Sequence, residues 1–368
     1  MRILQYRHGF VAILVILIGA LFAFTACSSG DNAGTNTATS SAAAGTATAT
    51  PQPVTVRAVL AIEASSFLPV YAARYNNFYA QEGINLDYSV GGTGGKESAA
   101  LIAGDADIVF SSGVELLKLA AQNRPVIAVG GIEAGGVDEI IMLKSLADQL
   151  GITANSPLAD KLKAANWTGK KVGFTSAGAL SNGLVLNWAH EAGVSADNVQ
   201  QVALGAGATQ IAAMQQGSVD YISSFHPFSD QMIANGSAIK LVDMTAGDDP
   251  SLKGFLEQIL MTTSDYASKN PDVVKRFVKA TVEGSQWINT HTVAEVVTMW
   301  QSFDAFKTSD PASLTAQVQA FKDGGIFPSD GAMSLAGLQT VQTVLLNGGI
   351  LTSPVANIDK LIDTSYLP

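Results

Sequence analysis

The sequence predicts an α/β fold of two similar three-layer lobes joined by a hinge, and three observations carry that expectation. From Val54 onward short apolar strands alternate with amphipathic helices, which argues a largely parallel sheet covered by helices. The same unit returns 113 residues later without a gap. The chain has 368 residues, about two domains at roughly 150 residues each. Hydrophobic residues at 47% and charged residues at 14% exclude a disordered chain and supply apolar material for large cores. A net charge of -10, from 21 Lys plus Arg against 31 Asp plus Glu, lacks the basic footprint of a nucleic-acid binder. The single cysteine, Cys27, excludes an intramolecular disulfide and any cysteine-cluster metal centre.

Arg2 and Arg7 precede an apolar run from Phe10 to Phe24, and the small residues Thr25, Ala26 and Cys27 follow, in the order of a secretory signal. Phe24-Thr25-Ala26-Cys27 resembles a bacterial lipobox, with Phe24 where Leu is usual; in a lipobox the cysteine becomes the lipidated first residue. The expectation is a lipoprotein signal peptide over residues 1–26, then lipidated Cys27 and a linker over 27–53. An uncleaved signal anchor is the competing reading, since residues 9–30 carry no charge and about 20 apolar residues span a membrane. Thr25, Ala26, Ser28, Ser29 and Gly30 weaken the far end of that span. Either way the body lies outside the cytoplasm, lipid-anchored on the periplasmic or extracellular face in the favoured case. Residues 28–53 hold one charge, Asp31, and no Val, Ile, Leu or aromatic, so they form a flexible leash with a reach of roughly 25 to 30 Å.

The body opens with a strand over Val54–Ile62. Ser65 and Ser66 are N-cap candidates for a helix with Phe67, Tyr71, Tyr75 and Phe78 on one face, stopped at Gly83. Ile84–Val90 is a second strand, Gly91–Gly95 a turn, Lys96–Ala103 a short helix and Ile108–Phe110 a third strand. In the repeat, Gly92, Gly94, Ala99, Ala100, Gly104 and Asp107 fall on Gly205, Gly207, Ala212, Ala213, Gly217 and Asp220. Upstream, Ser66 falls on Ser176 and Gly83 on Gly193. Lobe I is expected over 54–135 plus 260–368, and lobe II over 136–259. The return includes a helix from Pro271 that buries Val274, Phe277, Val278 and Val282.

Open parallel sheets present ligands with the loops and helix N-termini at the carboxyl ends of their strands. Those loops name the candidate ligand-binding residues: Ser65, Ser66, Phe67, Gly92, Thr93, Gly94, Ser111 and Ser112 from one lobe. The other lobe gives Thr175, Ser176, Gly205, Gly207, Phe225 and His226. Ser65, Ser66, Thr175 and Ser176 also suit helix caps. His226, between Phe225 and Phe228, suits either a ligand clamp or a packed helix start. Gly91-Gly92-Thr93-Gly94-Gly95-Lys96 misses phosphate-loop spacing, with Val90 and Glu97 where Gly and Ser or Thr belong. Histidine spacing and the Asp243, Asp248, Asp249 group match no metal site, and no catalytic set or cofactor motif appears. Glu63, Glu115 and Glu133 against one Lys96 in the candidate loops tilt the ligand away from a bare anion.

Five segments, in order, resemble a known family. They are Ser66-Phe67-Leu68-Pro69-Val70-Tyr71-Ala72-Ala73, Ala100-Leu101-Ile102-Ala103-Gly104-Asp105-Ala106-Asp107, Gly169-Lys170-Lys171-Val172-Gly173, Met214-Gln215-Gln216-Gly217-Ser218-Val219-Asp220 and Asn270-Pro271-Asp272-Val273-Val274. Residues 54–368 are similar to ABC-importer substrate-binding proteins of the nitrate, sulfonate, taurine and thiamine-pyrimidine-precursor class, with the type II periplasmic binding protein fold. Ser145–Trp167 is longer than that family leads one to expect. The resemblance implies a monomeric binder that closes on one small solute, delivers it to an ABC permease and needs no cofactor. A related pyrimidine-precursor synthase branch carries a cysteine-rich motif that this chain lacks. An extracytoplasmic ligand sensor is the other alternative.

Overall fold

The chain is described by a computed structural model covering residues 52–368 except 93, 94, 164 and 165. The expected signal, Cys27 and nearly all of the linker lie outside the described residues, which belong to one compact unit, Thr50–Pro368. Among the described residues no helix is long and apolar enough to cross a membrane.

The strands are β1 Val54–Leu60, β2 Ile84–Val90, β3 Ile108–Ser112, β4 Val126–Ala134, β5 Asp138–Leu143, β6 Lys171–Phe174, β7 Gln200–Ala203, β8 Tyr221–Phe225, β9 Ala238–Asp243 and β10 Leu256–Thr263. The helices are α1 Leu68–Tyr75, α2 Phe78–Gln81, α3 Lys96–Ala103, α4 Gly113–Ala121, α5 Lys144–Leu150, α6 Leu158–Lys161, α7 Leu180–Glu191, α8 Ala208–Gln215, α9 Phe228–Ala234, α10 Ser264–Lys269, α11 Pro271–Thr290, α12 Val293–Gln301, α13 Pro311–Gly324 and α14 Leu335–Asn347.

Two five-stranded sheets result, ordered β2-β1-β3-β10-β4 and β7-β6-β8-β5-β9. Both are mixed rather than largely parallel. In each, the fourth strand runs antiparallel to its neighbours. That strand is the one by which the chain arrives from the other sheet: β5 follows β4 across, and β10 brings the chain back. The short stretches before β5 and before β10 are therefore the two crossings.

The internal repeat is visible as matched bonding. Asp107 accepts the backbone N-H of Arg57 at 2.9 Å, and Asp220 accepts that of Lys171 at 2.8 Å. Each aspartate thereby ties the turn before β3 or β8 to the middle of β1 or the start of β6. Gly104 and Gly217, at φ 80° and 62°, end the preceding helices in a backbone region that favours glycine.

Two cap expectations are corrected. Ser65 and Ser66 sit inside a 3₁₀ turn, Ser65–Phe67, whose N-cap is Ala64, and neither hydroxyl caps it. The helix that follows also breaks, because Asn77 adopts φ 57° between α1 and α2. Thr175 and Ser176 do not cap α7, which starts later with Ala179 as N-cap. Thr175 Oγ1 instead bonds Ser181 Oγ at 2.8 Å, which folds the loop back on the helix. The long Ser145–Trp167 stretch carries α5 and α6 and ends with Trp167 stacked on Tyr221 at 4.1 Å.

One apolar cluster fills the space behind both sheets, with Leu116 and Leu117 of α4, Ile140 and Met142 of β5, Leu184 and Trp188 of α7, and Leu338 and Leu345 of α14. A residue in that position is shielded from water by both halves, so the cluster holds them together through apolar burial. A second cluster packs α1, α11, α12 and α13 on the far face of the first sheet. A third covers the outer face of the second sheet around Ile141, Met214 and Ile222.

Candidate functional site

A cavity with about 850 Å³ of unfilled space, its open mouth included, lies where the carboxyl ends of strands from both sheets converge. The first sheet contributes Ala61 and Ile62 after β1, Ser66 and Phe67, Gly92 after β2 and Ser112 at the end of β3. The second contributes Thr175 and Ser176 after β6, Gly205 after β7 and Phe225 at the end of β8. The crossings and the strands they enter reach it too, with Val137 before β5, Asp138 at the start of β5, and Glu257 and Gln258 near the start of β10. The mixed apolar and polar lining suits a small organic molecule.

Of the residues expected from sequence, Ser66, Phe67, Gly92, Ser112, Thr175, Ser176, Gly205 and Phe225 meet at this cavity. Ser65, Ser111, Gly207 and His226 are not among its lining, and Thr93 and Gly94 fall outside the described residues. Ser65 is buried with its hydroxyl unpartnered. Gly207, at φ 71°, precedes α8 and lies against the Phe228 ring. His226 is buried between Asp230, 2.9 Å from Nδ1, and Glu139, 3.5 Å from Nε2. Burial opposes its protonation, but the Asp230 hydrogen bond and the Glu139 charge carry its pKa upward overall. Glu139, His226 and Asp230 are the one trio among the described residues whose ligand atoms lie within 4.8 Å of one another. The Lys240 ammonium pairs with Glu139 there, so the trio is a charge network already supplied with its cation.

The sequence reading placed Glu115 in the candidate loops but missed three other carboxylates of the cavity, Glu97, Asp138 and Glu257. Glu97, Glu115, Asp138 and Glu257 all line it, and no Lys, Arg or His does. Glu97 is fully buried; its Oε1 accepts from Ser111 Oγ at 2.8 Å, while its Oε2 has no partner. Burial first, and the Glu115 charge, push the Glu97 pKa up against the Ser111 bond. Glu257 is pushed up to about 7 by burial, although Gln258 and the Val137 N-H bond it. Asp138 and the neighbouring Glu133 are raised well above the usual carboxylate range by burial and by the charge of Glu257. Glu115 alone has a cation, Lys118 Nζ at 2.7 Å, which also bonds the carbonyl of Gly178 across the cavity at 3.0 Å. One sequence signal marks Glu97: the repeat pairs it with Gln210, so both copies put a polar residue into an otherwise apolar short helix.

A family model described as NMT1/THI5 like matches residues 64–294, more than half of the chain. The chain belongs to the NMT1/THI5-like family. YtlA of Bacillus subtilis (strain 168), which carries the name of a binding protein, is 21% identical over 293 residues, covering 77% of this chain and 80% of YtlA. Among solved structures, the alkanesulfonate-binding protein SsuA of Xanthomonas axonopodis pv. citri, bound to MOPS, superposes with a TM-score of 0.64 at 16% identity. It covers 86% of this chain and 100% of its own. The periplasmic nitrate-binding protein NrtA of Synechocystis PCC 6803 gives a TM-score of 0.64 at 15% identity, covering 86% and 88%. At these identities the likeness establishes the fold of this family member, that of the periplasmic binding proteins.

Proposed function

We propose that this chain is the solute-binding component of an ABC importer, exported, tethered by lipid at Cys27, and handing a small solute to a permease. One observation carries the reading: repeat-related residues of both lobes, Ser66 with Ser176 and Gly92 with Gly205, face one cavity bounded by both chain crossings. A site shared by two lobes in this way couples ligand contact to their relative position, which is the basis of capture and release. The wall is apolar at Ile62, Phe67, Leu180 and Phe225, with hydroxyls and backbone between, which suits reversible retention. The described histidines, His190, His226 and His291, are absent from the lining, so no serine there has an imidazole base. That lining supports the binder reading.

The test is thermal unfolding of the intact chain against sulfonates, nitrate, taurine, hydroxymethylpyrimidine with related heterocycles, and aromatic carboxylates. A ligand at 100 times its Kd adds about 2.7 kcal/mol and raises Tm by several degrees. Ser66→Ala together with Ser176→Ala should weaken the hit by about tenfold or more while leaving unfolding of the free chain intact. Unchanged affinity in the double variant removes the cavity assignment, and turnover of a panel compound replaces the binder by an enzyme.

A further inference from the structure

We infer that the cavity selects an organic cation, with a protonated nitrogen set against the carboxylates of Glu97, Asp138 and Glu257 and an apolar body against Phe67 and Phe225. The inference rests on the binding reading and adds the charge of the ligand to it. Four carboxylates line the cavity, one of them is matched by Lys118, and no other cation reaches it. The unpartnered Oε2 of Glu97 is an independent sign of something to be accepted there, since the residue is wholly buried, lines the cavity and has its other oxygen fixed by Ser111. A buried acceptor left empty is costly, and a ligand N-H donor relieves it.

The arrangement argues against a metal ion and against an inorganic anion. Glu97, Asp138 and Glu257 come from α3, β5 and β10, and no three of the cavity carboxylates fall within the 4.8 Å that groups ligand atoms for one ion. Carboxylates spread around apolar walls fit a molecule with its own volume, whose several N-H donors reach them from different sides. A sulfonate or nitrate would meet four acids and no basic side chain in the lining.

The same groups make binding release protons. In the free chain Glu257 meets Glu133 from β4 and Asp138 from β5, with Gln258 beside it and Ser223 of β8 bonded to Asp138. Glu97 meets Ser98, Ser111 and the Lys118-paired Glu115, while Glu139, next in β5, is already answered by His226 and Lys240. No cation faces Glu133, Asp138 or Glu257 in this set, so burial favours their protonated forms and a cationic ligand set against them favours the ionised ones.

The probes are benzamidine, benzamide and benzenesulfonate, three molecules of similar shape that are cationic, neutral and anionic, with calcium as a metal control. They are titrated calorimetrically into the intact chain between about pH 5.5 and pH 8, where benzamidine keeps its charge. Benzamidine is expected to bind best, tightening by up to about tenfold per pH unit below the carboxyl pKa and then levelling, with heats that vary with buffer as protons are released. Glu257→Gln and Glu97→Gln should each weaken benzamidine by about tenfold or more. Using both variants keeps the test valid if one of them fails to fold. Preference for benzenesulfonate or calcium, or a benzamidine affinity indifferent to pH and to both variants, overturns the cation while leaving a binder. Failure of every probe, together with silence across the solute panel above, overturns both.

Discussion

Ser111 Oγ donates a 2.8 Å hydrogen bond to Glu97 Oε1, and at the repeat-related positions Ser224 Oγ donates one of the same length to Gln210 Oε1. The two helices hold the same buried contact, once with a carboxylate and once with an amide. The fold at that position therefore needs an acceptor oxygen and not a charge. Glu97→Gln should leave Tm at neutral pH no lower than that of the parent, because the amide keeps Oε1 and removes a carboxylate whose ionised form burial penalises. Ser111→Ala deletes the donor and strands a buried acceptor, at a cost of about 1 to 3 kcal/mol. Thermal unfolding of the two variants side by side decides it: an equal loss in both would mean that the charge itself holds α3.

Stability of the ligand-free chain should fall as pH rises from about 5 to about 8. Burial lifts Glu257 to about 7, above its unfolded value, so between those values the folded chain holds more protons than the unfolded one. Its contribution is at its most favourable below the unfolded pKa and is lost as pH climbs through about 7. Glu133 and Asp138 shift in the same direction, and so does His226, whose raised pKa gives stability that is present at acid pH and lost above it. Glu257 accounts for up to about 3 kcal/mol of the fall, so Glu257→Gln should flatten the curve measurably. A Tm that instead climbs through this range would show the carboxylates ionised and stabilised in the free chain.

What the sequence made legible follows from which residues have one task each. Gly92, Gly104, Gly205 and Gly217 take φ values that favour glycine, and Asp107 and Asp220 bond the backbone of a neighbouring strand, so both copies keep them and the repeat can be read. The lobes and most of the small cavity residues came with that repeat. The carboxylates did not, since Asp138 and Glu257 are far apart in sequence and meet only because both chain crossings border the same cavity. The antiparallel fourth strands were hidden for the same reason: β5 and β10 look like any short apolar strand, and their direction depends on which sheet the chain has just left. Ser66 and Ser176 read both as caps and as cleft residues, and tertiary contacts leave them only the place in the cavity wall.

Gly337→Ala should destabilise the chain by about 1 to 3 kcal/mol. Gly337 lies in α14 against the return crossing, and a Cβ there would run into the carbonyl oxygen of Gly254 and crowd the backbone of Leu256. The same helix bonds α7 through Asn347 and Asn187 at 2.9 Å, so α14 spans from the crossing to a helix of the second lobe. Ala336→Ser, one residue earlier and exposed, is the control expected to leave Tm unchanged. Equal Tm values for both variants would show that α14 can shift away from the crossing without loss.

Lys118 is the last contact to test, because it joins the two sides of the cavity through one side chain. Its ammonium bonds Glu115 at 2.7 Å on its own helix and the Gly178 carbonyl at 3.0 Å on the loop after β6. That loop has its own ties, Gly178 N-H to Asn182 Oδ1 at 2.9 Å and Thr175 to Ser181, so it does not depend on Lys118 for its shape. It does depend on Lys118 for a polar link to the opposite lobe. Lys118→Met keeps the apolar stem and removes the donors, and because buried Glu115 loses its cation, global stability should fall by about 1 to 3 kcal/mol. Backbone amide exchange over residues 176–180 should become faster than that global loss explains, since local opening of the loop responds directly to the loss of this tie. Exchange that stays at the parent rate would mean that the loop's internal bonds alone hold it over the cavity, and that the Lys118 link adds nothing to its position.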